Sequence, residues 1–201
     1  MEIKSKSDYK MFLEADRISL GLINERPQII PRNERQVIWK FQRLLRKVEF
    51  YNNCKKDTFS KLYLKILRQK HFRLQLKLGF NIPLNVFGPG LSIAHIGTII
   101  INSTAKVGAN CRLHVGTNIG MSGKDKKAAI LGNDVYLGIG SKIIGNISIA
   151  NGVVVGANSV VTKSIEEKNI TIAGIPAKKI SQNGNPMAKE RRGYNIVSGL
   201  K

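Results

Sequence analysis

The chain has 201 residues, of which 42% are hydrophobic; this is enough for one principal core with a small accessory domain and too much for a disordered protein. Its 33 lysines and arginines against 13 aspartates and glutamates give a net charge of +20, which favours an anionic partner such as a phosphorylated co-substrate, an acidic glycan, a membrane surface or a nucleic acid. Because the basic residues are spread along the chain, no basic arm for nucleic acid stands apart, and without a leader pattern or a long apolar run we expect a cytoplasmic protein.

Three segments among the first 80 residues have the three-and-four spacing of apolar residues that is typical of amphipathic helices. They are residues 8–24, a segment from Asn33 to about Asn53 with Asn33 as N-cap, and a segment from about Thr58 to Leu78. The third has two apolar faces between lysines and arginines; we expect its basic side chains to face solvent, with docking on a membrane surface as the open alternative. His71, in its middle, is expected on the surface. An α-helical domain over 1–80 is therefore predicted.

The second half of the chain repeats every six residues. Aliphatic side chains stand at Ile101, Val107, Leu113, Ile119, Leu131, Leu137, Ile143, Ile149, Val155 and Val161. Four places after most of them comes a small or β-branched residue, in a second column of Ala105, Cys111, Thr117, Val135, Ser141, Ile147, Val153 and Ser159. Neither a helix nor a single strand has this period, whereas a solenoid of three-sided coils does, with the aliphatic column stacked inward.

The two cysteines have no pattern of a disulfide or of a metal site. Cys54 and Cys111 lie in different regions, without a Cys-x-x-Cys motif or a Cys/His cluster, so we expect no metal. Cys111 belongs to the second column and is expected in the core. The solenoid is predicted over 81–180, and the glycine-containing tail over 181–201 is expected to be poorly ordered.

His95 is the histidine with the best case for a catalytic role. It stands six residues before Ile101, so the repeat predicts that it occupies the aliphatic column, where a polar ring has little structural reason to be. His114 stands next to the inward Leu113, in a turn position that other coils give to small residues. It is predicted either to line the same groove or to be an ordinary surface histidine.

A hexapeptide solenoid that closes with Ala-Gly-Ile-Pro-Ala, here Ala173–Ala177, resembles the hexapeptide-repeat acyltransferases, and 78–180 resembles the serine O-acetyltransferases among them. The matching stretches are residues 88–102, 107–120, 130–161 and 171–180. The resemblance implies a mainly β fold, a left-handed parallel β-helix with an N-terminal α-helical domain. It also implies acetyl transfer from acetyl-CoA, with His95 as the base that takes the proton of the acceptor hydroxyl.

Two positions depart from the pattern of that family. An aspartate that orients the catalytic histidine matches Asn81 here, and an aspartate that holds the amino-acid substrate matches Ala94. Asn81 can accept a hydrogen bond from the imidazole without stabilising its charge, and Ala94 cannot bind an ammonium group. An Arg-His pair of the family also has no counterpart in the loop 122–129. These departures favour the hydroxyl of a sugar of a surface glycan or its precursor as acceptor; free L-serine and a non-enzymatic scaffold are the alternatives.

The resemblance also implies where acetyl-CoA binds and how the chain assembles. Backbone along one edge of the later coils and residues of the closing segment are expected to hold it: Gly138, Gly140, Gly156, Ala157, Ala173, Gly174 and Pro176. Three lysines are candidates for its phosphates: Lys163, Lys178 and Lys179. A homotrimer is implied, with acetyl-CoA between subunits, and a hexamer through the helices is the larger assembly to consider.

Overall fold

The computed structural model describes residues 1–28, 30–124, 126–187 and 189–199. Its N-terminal part is three helices: α1 (Lys6–Ser19), α2 (Glu34–Cys54) and α3 (Thr58–Leu78). Each begins after a residue whose side chain accepts a hydrogen bond from the first turn; these residues are Ser5, Asn33 and Asp57. The predicted bounds of α3 are confirmed at both ends and those of α2 to within a residue, whereas α1 is shorter than predicted.

Over the described residues, fourteen strands, most of two or three residues, follow the helices. They are β1 (Phe80–Asn81), β2 (Ser92–Ile93), β3 (Ile99–Ile101), β4 (Lys106–Val107), β5 (Arg112–Leu113), β6 (Asn118–Gly120), β7 (Ile130–Leu131), β8 (Tyr136–Leu137), β9 (Lys142–Ile144), β10 (Ser148–Ile149), β11 (Val154–Val155), β12 (Val160–Val161), β13 (Thr171–Gly174) and β14 (Ala177–Ser181). Three helices of 14, 21 and 21 residues precede these short strands, so the chain combines a β-helix with an N-terminal helical part.

The strands form the three flat faces of a parallel β-helix, as the repeat predicts. Face one has the order β1-β3-β6-β9-β12, face two β10-β7-β4, and face three β14-β13-β11-β8-β5-β2. Pairing is parallel except for the closing hairpin of β13 and β14. All ten aliphatic residues of the predicted column are buried, and Cys111 is buried among them, where burial raises the pKa of its thiol.

The corners of the coil use residues with left-handed backbone. Gly140 has φ +70°, and a Cβ there would lie 2.0 Å from Oδ1 of Asn158 in the next coil. A side chain at this position would therefore force the coils apart. Asn110, Asp134 and Asn158 take the same backbone region at other corners, which their short polar side chains tolerate.

The helices and the coil share one hydrophobic core. Leu20, which follows α1, and Ile38 and Phe41 of α2 belong to the same buried cluster as Phe80 and Ile93 of the first coil. A buried ion cluster around Arg46 of α2 fastens the same junction, since its guanidinium donates to the carbonyl oxygens of Phe87 and Gly88 at 2.8 and 2.7 Å. The helical part therefore closes the N-terminal end of the coil's core.

The expectation of a poorly ordered tail is wrong for the described residues of that segment. A short helix, α4 (Gly193–Ser198), packs against α1. The Gly193 N–H donates to Ser19 Oγ at 3.0 Å, and a Cβ at Gly193 would lie 1.9 Å from the Ala15 carbonyl oxygen. The glycine that suggested disorder is what allows this close approach.

His71 is buried rather than on the surface, contrary to the expectation from the sequence. Its side chain is on the face of α3 that packs on α2, and its ring stacks on Phe41 with centroids 5.4 Å apart. Burial lowers its pKa to about 4. Nε2 has no hydrogen-bond partner among the described residues.

We expect this histidine to make the protein less stable in mild acid. The unfolded chain takes up a proton at His71 near its ordinary pKa of about 6.5, whereas the folded chain does so only near pH 4, so unfolding becomes more favourable as the pH falls between these values. His71→Phe keeps the aromatic contact and removes this proton uptake. Urea unfolding at about pH 8 and about pH 5 should therefore give a smaller loss of stability for the variant than for the natural chain. Equal losses in both proteins would contradict the prediction.

No helix among the described residues has the length and apolar character needed to cross a bilayer. Over the same parts of the chain, no group of three or more His, Cys, Asp or Glu side chains is arranged to hold a metal ion.

Candidate active site

His95 lies at an exposed corner of the coil, outside the aliphatic column. Ile93 fills the inward position, since it pairs with Leu113 of the next coil. That pairing joins residues twenty positions apart, whereas Leu137 and Val155 of a regular coil are eighteen apart, so the first coil has two extra residues. They shift His95 outward, where 58% of its side chain is exposed. The predicted inward placement is wrong, and the side chain is accessible to a ligand.

Glu34, in the first turn of α2, is the hydrogen-bond partner of His95. Its Oε2 lies 3.1 Å from His95 Nδ1, and its Oε1 accepts the Ile96 N–H at 2.8 Å. The Ile96 N–H and His95 lower the pKa of this carboxyl, so it is ionised at neutral pH. With Nδ1–H donated to the carboxylate, Nε2 is left as the atom that can accept a proton, which is the arrangement of a general base with its orienting carboxylate.

Asn81 is not the partner of His95. It lies on β1 of face one, in register with Ile100, and its side chain is exposed. Among the described residues no hydrogen bond joins it to His95. Asn81 instead lines a shallow cavity of about 320 Å³ together with Asn102 and Asn118. The carboxylate that is missing at position 81 is supplied by the helical part of the chain.

His114 lies beside His95, which agrees with the predicted alternative that it lines the same groove. The ring centroids are 6.3 Å apart, and the ring of Tyr136 is 5.1 Å further along the same face. Burial, followed by the charges of Arg112 and His95, lowers the pKa of His114 to about 4, so it is neutral at pH 7. Neither of its buried ring nitrogens has a partner among the described residues. Such groups are normally satisfied, which fits a ligand that hydrogen bonds here.

Arg112, whose charge acts on His114, is accompanied by two further arginines, Arg191 and Arg35. Arg112 on β5 donates to Ser92 Oγ at 2.8 Å. Arg191, just before α4, donates to the Ser19 carbonyl oxygen at 3.3 Å. Burial, followed by the charges of Arg112 and Arg35, lowers the pKa of Arg191, so the Arg191 guanidinium is close enough to both to be repelled by them. A site with this excess of positive charge favours a ligand that has a carboxylate or phosphate group.

Ala94, the other departure from the family pattern, is half-buried next to His95. Its N–H donates to the Leu113 carbonyl oxygen at 2.9 Å, which continues the ladder of face three. The methyl group offers nothing to a charged ligand. Any group that binds an acceptor at this point has to come from another element.

The glycines predicted to admit acetyl-CoA follow His114 along the same edge. The N–H groups of His114, Gly138 and Gly156 donate in turn to Leu137, Val155 and Ile172, so Ala94, His114, Gly138, Gly156 and Ala173 form one row. A Cβ at Gly138 would lie 2.8 Å from the Val155 carbonyl oxygen, and one at Gly156 would lie 2.9 Å from the Ala173 Cβ. Coil stacking therefore already explains both glycines, although the row does lead from His95 toward the closing segment.

The remaining predicted residues, apart from Lys163, lie at the C-terminal end of that edge or close to it. Ala157, Gly174 and Pro176 are exposed, as are Lys163 and Lys178. Lys179 is paired with Glu167 at 2.6 Å, which leaves it less suited to a phosphate than the other two lysines. Lys163 follows β12 of face one, so it belongs to a different corner from Lys178 on β14.

Sequence reasoning missed four groups of this site: Glu34, Arg112, Tyr136 and Arg191. The repeat contains a signal for two of them, because Arg112 and Tyr136 each directly precede an inward leucine and are therefore register neighbours. Glu34 and Arg191 come from the helical part and the tail, and nothing in their local sequence connects them to His95.

A comparison with protein families finds that residues 128–163 match the repeat described as bacterial transferase hexapeptide (six repeats). A serine acetyltransferase of Staphylococcus epidermidis is 36% identical over 115 residues, which are 56% of this chain and 54% of that protein. The chain thus spans about half the length of the curated relatives it matches.

Two solved structures show the same architecture. Serine acetyltransferase of Neisseria gonorrhoeae, in complex with serine, has a TM-score of 0.61 at 24% identity, covering 88% of this chain and 71% of that one. Serine acetyltransferase of Brucella abortus, in complex with coenzyme A, has a TM-score of 0.62 at 22% identity, covering 90% and 70%. The fold of this chain is therefore the left-handed parallel β-helix with N-terminal helices that the sequence predicts.

Proposed function

We propose that the chain is an acetyl-CoA-dependent O-acetyltransferase with His95 as its general base. The observation that carries the proposal is the pair of His95 with the ionised Glu34, which leaves His95 Nε2 free to accept a proton. His114 lies beside it, and neither of its ring nitrogens has a hydrogen-bond partner among the described residues. This arrangement suits removal of a proton from a hydroxyl. The similarity to acetyltransferases over more than half of the chain supports acetyl transfer as the reaction.

The proposed reaction is a single displacement. The acceptor O–H gives its proton to His95 Nε2 while the oxygen attacks the thioester carbonyl carbon of acetyl-CoA. The bond from that carbon to sulfur then breaks, the acetyl group stays on the acceptor oxygen, and the departing sulfur takes the proton from His95. Glu34 holds the imidazole and balances its transient charge. The neutral ring of His114 is placed to donate a hydrogen bond to an oxygen of the ligand.

L-Serine is the acceptor that we propose first. The relatives named as serine acetyltransferases favour it over the glycan suggested by the sequence. Arg112 and Arg191 offer guanidiniums for its carboxylate, in place of the Arg-His pair missing from the loop 122–129. The ammonium group has to be bound by something other than Ala94.

A sugar hydroxyl is the second candidate. Ala94 favours it, because the methyl group beside His95 leaves no anion for an amino-acid ammonium group. The same arginines would bind the carboxylate of an acidic sugar. A non-enzymatic scaffold would need neither the His95–Glu34 pair nor the cluster of cations, so we do not favour it.

We also propose a trimer whose coils pack side by side, with acetyl-CoA between subunits along the row from His114 to Ala173. Exposed isoleucines on the coil and its closing hairpin are available for contacts of this kind. They are Ile100, Ile130, Ile139, Ile175 and Ile180, from 45% to 73% exposed. Because Glu34 comes from α2, the helices over 1–80 and the coil over 81–180 together form the transferase unit in this proposal.

The experiment is release of free thiol from acetyl-CoA by the purified chain, with L-serine, neutral sugars and acidic sugars supplied in turn. Turnover with serine supports the first acceptor, and turnover with an acidic sugar alone supports the second. Failure with every acceptor, together with no binding of acetyl-CoA in calorimetry, would overturn the proposal.

Glu34 provides a sharper test of the site, because it is a positioning residue rather than one that touches substrate. We expect Glu34→Ala to lower kcat about 10- to 100-fold while the KM for acetyl-CoA stays within about twofold. Glu34→Gln keeps an oxygen for the Nδ1–H bond and should recover part of the lost rate. Glu14→Ala, which removes a carboxylate paired with Arg17 in α1, is the control and should leave kcat unchanged. Equal rates for the alanine and glutamine variants would contradict the positioning role.

A further inference from the structure

Helix α3 turns an apolar face away from the protein. It buries only Leu67, His71 and Leu78 against its neighbours. Five large apolar side chains are largely exposed instead: Phe59 (88%), Leu62 (60%), Ile66 (48%), Phe72 (53%) and Leu76 (66%). At 100° per residue these five lie on the half of the helix opposite the buried residues. A face of this size needs an explanation that packing within the chain does not give.

The exposed part of α3 is also strongly basic. Six cations are distributed along the helix, all of them exposed: Lys61, Lys65, Arg68, Lys70, Arg73 and Lys77. The sequence has no aspartate or glutamate between Asp57 and Asp125. Within the described residues, none of the six cations forms a salt bridge. The charge of this face is therefore not neutralised by the protein.

A basic cleft opens beside the exposed face. It has a volume of about 820 Å³ and lies between the first three helices, with Lys40, Arg43 and Lys70 among its cations and Trp39 and Leu74 on its wall. Nε of Arg43 is buried without a partner among the described residues, and burial lowers the pKa of this guanidinium. A second cavity of about 340 Å³, which also has Lys70 and Leu74 on its wall, continues to Arg73 and Lys77.

These features together select one kind of partner. A second copy of the chain would bring its six cations against the six of this face, so self-association through α3 is opposed by charge. A nucleic acid would meet the cations and gain little from exposed phenylalanine and leucine side chains. An anionic phospholipid surface meets both, because acyl chains receive the apolar side chains while phosphates receive the lysines and arginines.

We propose that α3 docks the protein on an anionic phospholipid surface, with Phe59, Leu62, Ile66, Phe72 and Leu76 inserted at the level of the headgroups and the basic cleft occupied by headgroup phosphates. The helix lies in the plane of the interface rather than across the bilayer. The proposed reaction site is built around His95 and Glu34 and uses no residue of α3, so docking does not depend on the proposed function.

The test is flotation of the full chain with vesicles of phosphatidylcholine alone and with about 30% phosphatidylglycerol added. We expect binding to the anionic vesicles only, and loss of that binding near 1 M salt, where the screening length falls to about 3 Å. Combined Lys70→Glu, Arg73→Glu and Lys77→Glu should weaken binding about a hundredfold. Combined Leu62→Gln, Ile66→Gln and Leu76→Gln should weaken it at least about tenfold at unchanged charge.

The matched control reverses three exposed lysines of the coil, Lys124, Lys126 and Lys127, and should bind as the natural chain does. All replaced side chains are exposed, so thermal unfolding should verify that each variant folds, and single replacements such as Leu62→Gln should give graded losses. The proposal would be overturned if the chain did not bind anionic vesicles, if it bound neutral vesicles equally well, or if the control variant weakened binding as much as the α3 variants. It would also be overturned if the exposed face of α3 bound duplex DNA or a second copy of the chain instead of the vesicles.

Discussion

Replacing His95 with alanine will lower kcat for acetyl transfer about a thousandfold and leave the binding of acetyl-CoA nearly unchanged. Positioned general bases contribute about 10²- to 10⁴-fold, and a base held by a carboxylate belongs toward the upper part of that range. The side chain is exposed at a corner and packs no core, so its removal should not unfold the chain. Single-turnover thiol release and calorimetry with acetyl-CoA measure the two quantities separately.

The control for this variant is Thr98→Ala, an exposed replacement three residues further along the same corner. It should keep the rate of the natural chain. The variants of Glu34 and His95 act on one unit, so the pair His95→Ala with Glu34→Ala should lose little more than His95→Ala alone. A His95→Ala enzyme that keeps more than about a tenth of kcat would remove His95 from the proposed role.

Replacing Arg46 with methionine will destabilise the fold by about 3–5 kcal/mol, the usual result of breaking a buried ion pair on one side. Arg46 is fully buried and bonded to Asp16 at 2.8 Å and to Glu49 at 3.0 Å. Its loss leaves two carboxylates and the carbonyl oxygens of Phe87 and Gly88 without their donor. The free energy of unfolding of a natural domain is about 5–15 kcal/mol in total. If the natural chain lies near the lower end of that range, the Arg46→Met variant will be partly unfolded at room temperature.

Urea unfolding measures this effect, and two further variants establish its cause. Arg73→Met removes an exposed arginine of α3 and should change the free energy of unfolding by no more than about 0.5 kcal/mol. Adding Asp16→Asn and Glu49→Gln to Arg46→Met removes the uncompensated charges and should recover part of the loss. The amide oxygen that Asp16→Asn introduces would still accept the backbone N–H groups that Asp16 binds at 2.8 and 2.9 Å, those of Gly90 and Leu91. If stability did not recover, the loss caused by Arg46→Met would come from packing rather than from uncompensated charge.

This ion cluster connects stability to the site. Asp16 belongs to α1 and Arg46 to α2, and both hold backbone of the first coil, a few residues before His95. The position of α2 on the coil is what brings Glu34 to His95. Loss of the cluster should therefore lower kcat in the folded fraction as well, whereas a loss confined to stability would show that Glu34 is held by the apolar core alone.

The sequence by itself determined the coil and the helices. Each turn of the coil must put an apolar side chain inward, so the requirement recurs every six residues and is visible without knowledge of the rest of the chain. The capping residue Asn33 is also a local signal, and it gave the predicted start of α2. Choosing His95 among the three histidines needed the family resemblance in addition, because the repeat put it in the wrong register.

Tertiary structure alone decided how these parts meet. Two extra residues in the first coil moved His95 to the surface, Glu34 reached it from 61 positions earlier in the chain, and α4 folded back onto α1. It also buried Arg46 on α2 and His71 on α3. No local pattern encodes such contacts, because they depend on the free energy of packing distant segments together, and the candidate site lies where α2 meets the first coil.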